Sequence, residues 1–114
     1  MDKNDNPTII IKSGKTIRRI ELADLYYIEC DCYVCTLSMS DGSKIHCTYS
    51  LTYFEEKLPQ QRFYRISRDV IVNLNHVTAI KSKPGNKKTT VMIDGNEFDI
   101  AFRRWKLFKM IFFK

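Results

Sequence analysis

The chain has 114 residues, enough for one folded domain and too few for two. Hydrophobic residues make up 44% and charged residues 28%, a balance that excludes a disordered chain. A surplus of 19 lysines and arginines over 13 acidic residues gives a net charge of +6, which favours a polyanionic partner. No apolar run approaches the ~20 residues needed to span a bilayer.

The first seven residues are polar and resemble neither a signal peptide nor a strand. We interpret residues 1–7 as a linker or leader and residues 8–114 as one domain. Without an export signal we expect a cytoplasmic protein that does not associate with membranes. Its four cysteines are then expected to be reduced thiols.

Short strands at hairpin spacing dominate the sequence, which predicts a mostly-β fold. The predicted strands cover residues 8–12, 16–20, 25–29, 33–39, 44–48, 63–66, 70–73, 77–81, 89–93 and 97–100. Asp41-Gly42 is typical of a two-residue hairpin turn, since glycine tolerates the positive φ that such turns need. Residues 30–32 are expected to be irregular.

Two segments have helical spacing instead. The first covers residues 51–58, where Ser50 or Thr52 can cap the helix and Pro59 ends it. The second covers residues 103–113 and groups its aromatic side chains at three- and four-residue intervals. Within it we expect Trp105 to lie in the core, because its large apolar area gains most from burial.

The segment from Arg62 to Ile80 carries the strongest signal. It contains Phe63-x-Arg65-Ile66-x-Arg68, then Val70-Ile-Val-Asn73, then Val77-x-x-Ile80. Read without a family, this is a β-hairpin with solvated arginines. The order and spacing nevertheless resemble the LytTR family, the DNA-binding output domains of bacterial response regulators. The rest of the sequence falls in the same register. The matching features are Asp24 to Glu29 with Tyr33, the Asp41-Gly42 turn, the first helix and the final hairpin with its basic tail.

The resemblance implies short antiparallel sheets stacked in an elongated body, with one short internal helix and a C-terminal helical turn. It also implies loops that enter successive major grooves of double-stranded DNA, with a second copy on an adjacent half-site. An upstream receiver or sensor domain is implied outside this chain. This chain departs from the family at three positions. The family usually has histidine where Ser67 stands, and serine where Asp69 and Ala101 stand. The acidic Asp69 would repel a phosphate.

Carried over by position, the base-reading residues are Asp31, Tyr33, Arg68 and Arg103. Arginine suits guanine because it donates two hydrogen bonds to O6 and N7, and an acid in the first loop can accept from cytosine. Phosphates are assigned to residues that donate hydrogen bonds or carry positive charge. These are Arg65, Ser67, Lys83, Lys87, Lys88, Arg104 and Lys106.

Two other functions compete. Cys30, Cys32, Cys35 and Cys47, with His46, could form a zinc or redox module, although their spacing matches no common zinc finger and inert packing is the simpler interpretation. Alternatively, a β-rich single-strand or RNA binder could stack bases on aromatic residues, namely Tyr26, Tyr27, Tyr33 and Phe63. No catalytic triad or glycine-rich phosphate loop is present, so we expect neither enzymatic activity nor a cofactor or metal.

Overall fold

The computed structural model describes residues 7–113, in which ten strands and two α-helices follow one another. In chain order they are β1 (Thr8–Ser13), β2 (Thr16–Glu21), β3 (Leu25–Asp31), β4 (Val34–Met39), β5 (Lys44–Cys47), α1 (Leu51–Lys57), β6 (Phe63–Ser67), β7 (Val70–Asn73), β8 (Val77–Lys83), β9 (Lys87–Met92), β10 (Glu97–Ile100) and α2 (Phe102–Phe112). Short 3₁₀ turns precede β3 and β8. The mostly-β prediction is confirmed.

The strands form three antiparallel sheets. A central five-stranded sheet has the order β5-β4-β3-β7-β6, while β1-β2 is a separate hairpin and β8, β9 and β10 form a meander. The predicted turn at Asp41-Gly42 joins β4 to β5, and Gly42 has a φ of +87° there, but the connection covers residues 40–43 and is longer than the two-residue turn expected. The extents of 44 × 38 × 25 Å show a flattened body rather than one elongated along a single axis.

Both faces of the central sheet are buried, which accounts for the continuous apolar runs in β3 and β7. Neighbouring residues of a strand point to opposite faces, so Tyr27 and Ile28 enter different clusters, as do Val72 and Ile71. The β1-β2 hairpin and α1 cover one face. The meander and α2 cover the other. The molecule is therefore three layers deep with β3 near its centre.

The C-terminal element is an eleven-residue helix, longer than the helical turn expected from the resemblance. Its buried anchor is Phe108, which is fully enclosed and packs against Tyr64 and Phe112. Trp105 is only half-buried at the rim of this cluster, with the ammonium groups of Lys88 and Lys109 within 6 Å of its ring. The expectation that Trp105 lies in the core is therefore wrong: Phe108, next to it on the same face of α2, takes the buried position, and Trp105 stacks on it at the edge.

Asn73 is a buried polar residue that organises the strand ends around it. Its side-chain amide donates to the carbonyls of Leu22 (3.2 Å) and Leu25 (2.9 Å), and its oxygen accepts from the Asn75 amide at 3.0 Å. These bonds satisfy groups that water cannot reach. They tie the 3₁₀ turn before β3 to the end of β7.

Tyr27 joins the central sheet to the turn between β9 and β10. Its buried hydroxyl donates to Asp94 Oδ2 at 2.7 Å and accepts from Asn96 Nδ2 at 2.7 Å. Burial, followed by the hydrogen bond to Asp94, raises the pKa of Tyr27 to about 12. The folded protein therefore keeps this proton at a pH where an unfolded chain releases it.

We expect Tyr27→Phe to reduce the loss of stability at alkaline pH. In the unfolded chain the tyrosine ionises near its ordinary pKa of about 10, so the wild-type free energy of unfolding falls as pH rises from about 10 to 12. The variant lacks this contribution and should lose less between pH 9 and pH 11.5 in urea denaturation. Tyr33→Phe, at an exposed position, should behave as wild type. Equal losses in wild type and Tyr27→Phe would contradict the coupling.

Candidate nucleic-acid interface

The turn between β3 and β4 projects from the central sheet. The last pair of the ladder is Asp31 with Val34, so Cys32 and Tyr33 form a two-residue turn, with Cys32 at a φ of +56°. The Tyr33 ring is 87% exposed, and Asp31 is also exposed. The expected irregular segment is thus shorter than predicted, and Tyr33 lies in the turn rather than in β4.

The turn between β6 and β7 also has two residues, but neither has a positive φ. Arg68 and Asp69 are its two residues, and the Arg68 side chain is 89% exposed. The Asp69 carboxylate lies 3.6 Å from Arg68 Nε, but such an exposed pair contributes little. Ser67 Oγ accepts from the Asp69 amide at 3.3 Å, so this hydroxyl shapes its own turn. Arg68 keeps its guanidinium in solvent.

A backbone hydrogen bond holds these two turns side by side. The Cys30 amide donates to the Asp69 carbonyl at 2.8 Å. Tyr33 and Arg68 consequently line one groove of about 420 Å³, whose floor includes Thr52 at the beginning of α1. The structure therefore brings together two of the predicted base-reading residues. Asp31 lies on a neighbouring concavity that also includes Asp69.

The third predicted segment begins where β10 passes into α2. The Ala101 amide donates to the Ile66 carbonyl at 2.8 Å, which fixes the start of α2 beside β6. Arg103 is exposed in the first helical turn, next to the half-buried Arg104. Ala101 stands at the N-cap and makes no side-chain capping bond. Cations are unfavourable at the positive end of a helix dipole, so a nearby anion would relieve this arrangement.

Glu55, Arg65 and Arg104 form an ion cluster that connects α1, β6 and α2. Arg65 Nη1 lies 3.0 Å from Glu55 Oε1, and Arg104 Nη1 lies 4.0 Å from Glu55 Oε2. Arg104 also donates to the Arg65 carbonyl at 3.1 Å. The sequence did not single out Glu55. Of the two possible caps of α1, Ser50 is the N-cap, and its hydroxyl accepts from the Tyr53 amide at 3.0 Å.

Arg65 uses its remaining donors to shape the β6–β7 turn. Nη2 donates to the Arg68 carbonyl at 2.6 Å, Nε donates to the Ser67 carbonyl at 3.3 Å, and Nη1 also reaches Thr52 Oγ1. The side chain is only 14% exposed. These contacts use four of the five N–H donors of Arg65 within the protein, which leaves one for the phosphate contact predicted from the sequence.

The predicted phosphate-binding lysines lie outside the groove between the turns Cys32-Tyr33 and Arg68-Asp69. Lys83 and Lys87 face each other across the turn from β8 to β9, and Lys83 also lies 3.9 Å from Glu97. Lys88 donates to Ser82 Oγ at 2.8 Å and lies over the Trp105 ring. Lys106 is exposed on α2. None of them lines the groove that holds Tyr33 and Arg68.

The aromatic residues considered from the sequence do not form a stacking platform for single strands. Tyr27 and Phe63 are buried, and the half-buried Tyr26 packs against His76 with ring centroids 4.7 Å apart. Of the four aromatic residues considered, Tyr33 alone is exposed. One exposed ring offers no continuous platform for successive bases.

The cysteines differ from the expectation of four reduced thiols. Cys30 and Cys35 form a disulfide between β3 and β4, while Cys32 and Cys47 are free. In the part of the chain that the structure describes, no group of three or more histidine, cysteine or acidic side chains could hold a metal ion. The zinc arrangement considered from the sequence is thus not formed. Nor is any helix within residues 7–113 long and apolar enough to cross a membrane.

Comparison with known proteins agrees with this geometry. A family model described as the LytTR DNA-binding domain matches residues 15–113. The chain belongs to the LytTR family. A solved LytTR DNA-binding domain, from a putative methyl-accepting/DNA response regulator of Bacillus cereus, superposes with a TM-score of 0.79 at 21% identity. The match covers 95% of this chain and 97% of the other, which shows a shared fold; no curated protein sequence matches significantly.

Glu55→Ala should destabilise this LytTR domain by about 1–3 kcal/mol, because hydrogen bonds to charged groups are worth that much and Arg65 would keep a largely buried charge. The matched control is Glu56→Ala, at the exposed neighbouring position of α1. Urea denaturation of both variants measures the difference. A Glu55→Ala variant as stable as wild type would show that the cluster does not hold the three elements together.

Proposed function

We propose that this domain binds double-stranded DNA sequence-specifically through the turns at one end of its central sheet. The observation that carries the proposal is the pairing of two exposed two-residue turns by the bond from the Cys30 amide to the Asp69 carbonyl. Turns so short present their side chains outward with little freedom in the backbone. Membership of a family of DNA-binding domains supports the same function and gives no indication of an enzyme.

Arg68 and Arg103 are proposed to read bases. Each has an exposed guanidinium, and a guanidinium can donate two hydrogen bonds to guanine O6 and N7 in the major groove. Asp31 can accept from the cytosine amino group, and Tyr33 offers an exposed ring edge and hydroxyl. Discrimination by each good arginine pair is worth about 1–3 kcal/mol.

We propose that phosphates are contacted by side chains that carry a positive charge or donate a hydrogen bond, since a phosphate contact needs no more than that. Lys83, Lys87, Lys88 and Lys106 remain in this group, together with Arg104, whose side chain is 36% exposed. Ser67 is a weaker candidate because its hydroxyl already accepts within the turn. Arg65 is proposed to position Arg68 instead of contacting phosphate.

The biological setting follows from the family. We propose that the domain is the output module of a cytoplasmic response regulator, controlled by a receiver or sensor domain, and that two copies occupy adjacent half-sites. Reading successive grooves from one edge favours curved DNA, and bending a site costs on the order of a few kcal/mol. Binding-site selection from random duplexes, followed by counting the copies bound to the selected site, tests both statements.

Binding should weaken steeply with salt. Displacing counterions at about five phosphates gives a slope of about −4 to −5 for log affinity against log salt concentration. Fluorescence anisotropy with the selected duplex between 50 and 300 mM salt measures it. A slope near zero would exclude binding through the phosphate backbone.

Arg68→Ala should lose base preference at one position and cost roughly 1–3 kcal/mol on the selected site alone. Arg103→Ala should act likewise at another base pair, with little change in melting temperature since its side chain is exposed. Lys87→Ala should weaken all sequences about equally. Arg18→Ala, at an exposed arginine on β2 away from the groove, is the matched control. Unchanged base preference in Arg68→Ala would refute its assignment.

A further inference from the structure

Three of the four cysteines form a row across the central sheet. Cys30 on β3 is the register partner of Cys35 on β4, and Cys35 is the register partner of Cys47 on β5. All three point to the face covered by β1, β2 and α1. Cys35 therefore has a cysteine on each side.

Strand geometry selects which neighbour Cys35 bonds. Antiparallel pairs alternate between a closer non-hydrogen-bonded type and a wider hydrogen-bonded type. The Cα atoms of Cys30 and Cys35 are 4.0 Å apart, which indicates the closer type. Because the backbone groups of one residue point to the same side, Cys35 must form the wider type with Cys47. Cys47 remains a buried thiol, and burial raises its pKa.

The two bonded cysteines differ in their access to solvent. Cys35 is 1% exposed and lines the groove with Tyr33 and Arg68, whereas Cys30 is half-buried and lines both concavities beside the two reading turns, Cys32-Tyr33 and Arg68-Asp69. Of the two bonded cysteines, Cys30 is therefore the more accessible to a small thiol or disulfide in solution. Disulfides in the reducing cytosol are usually redox-sensing or catalytic, and their exchange requires such an accessible sulfur.

The disulfide also lies at the base of the Cys32-Tyr33 turn, next to the hydrogen bond that joins this turn to the second one. It bridges the strands one residue pair before the Cys32-Tyr33 turn, and the Cys30 amide holds the Asp69 carbonyl of the second turn. Breaking the bond leaves Asp31 with Val34 as the last pair, held by the ladder alone. Both reading turns then lose a common restraint.

We propose that Cys30 and Cys35 form a reversible thiol–disulfide switch that sets the DNA affinity of this domain. The inference rests on the proposed function. Oxidation uses a small-molecule disulfide such as oxidised glutathione. The Cys30 thiolate attacks one of its sulfurs and releases one glutathione thiolate; the Cys35 thiolate then attacks the Cys30 sulfur and releases the second. Two protein thiols become one disulfide, and one glutathione disulfide becomes two thiols.

The oxidised form should bind the selected duplex about three- to tenfold more tightly than the reduced form. A turn already fixed in its binding conformation loses less conformational freedom on association. Reduction should also speed hydrogen exchange at the amides of residues 31–34, a readout that needs no DNA.

The test uses the full chain equilibrated with oxidised or reduced glutathione. Thiol titration should count two thiols in the oxidised protein and four in the reduced protein. Anisotropy then gives the affinity of each form. Cys30→Ala, at the half-buried position, should bind with the affinity of the reduced protein in both buffers. Its melting curve verifies that it folds, and the double variant with Cys35→Ala should agree with it.

Cys32→Ser identifies the responsible pair. It should keep the ratio of affinities between the two buffers, whatever its own affinity, because Cys32 takes no part in the exchange. Loss of the ratio in Cys32→Ser, or its persistence in Cys30→Ala, would overturn the proposal. Equal affinities of the two wild-type forms would refute the switch and leave DNA binding intact. Absence of duplex binding in both forms would refute the proposed function and the switch with it.

Discussion

The proposed DNA-binding surface depends on the hydrogen bonds and the ion pair that the Arg65 guanidinium makes. A largely buried charge is tolerated only when it is paired and its donors are used, and the planar fork of arginine can meet several acceptors at once. Here those acceptors are the Glu55 carboxylate on α1 and the carbonyls of Ser67 and Arg68 in the β6–β7 turn. One side chain thus fixes the backbone that presents Arg68 and attaches it to the helix behind it. Lysine could not make the same set of bonds.

The beginning of α2 shows a local conflict in the sequence. A stable helix favours a capping side chain and acidic residues in its first turn, but here Ala101 occupies the N-cap and is followed by Arg103 and Arg104. Violations of local preference tend to mark functional sites. Arg104 is compensated within the protein by Glu55 and the Arg65 carbonyl, whereas Arg103 points to solvent. The exposed charge of Arg103 at the positive end of this helix agrees with its proposed place at the DNA interface.

The sequence predicted the elements well because alternation and turn residues are local signals. The first helix and nearly all strands lie within a few residues of their expected positions, and the exposure of Arg68 and Arg103 was foreseen. The contacts of Arg65 were not foreseen, because two of its acceptors lie on α1 and the others are backbone carbonyls, which residue types do not reveal. The disulfide was missed for a related reason. It requires β3 to continue to Asp31, which in turn requires the left-handed conformation of Cys32, and composition reveals neither.

The strand order of the central sheet also bears on how the domain folds. Within the described residues, every ladder but one joins strands that are consecutive in the chain; the exception pairs β3 with β7 across a segment containing β4, β5, α1 and β6. Local hairpins close within microseconds, whereas distant pairings must first overcome the entropy of closing a long loop. The β3–β7 ladder should therefore form last among the strand pairs and limit the folding rate. A ribosome must release both halves of the chain before the two turns of the proposed interface can meet.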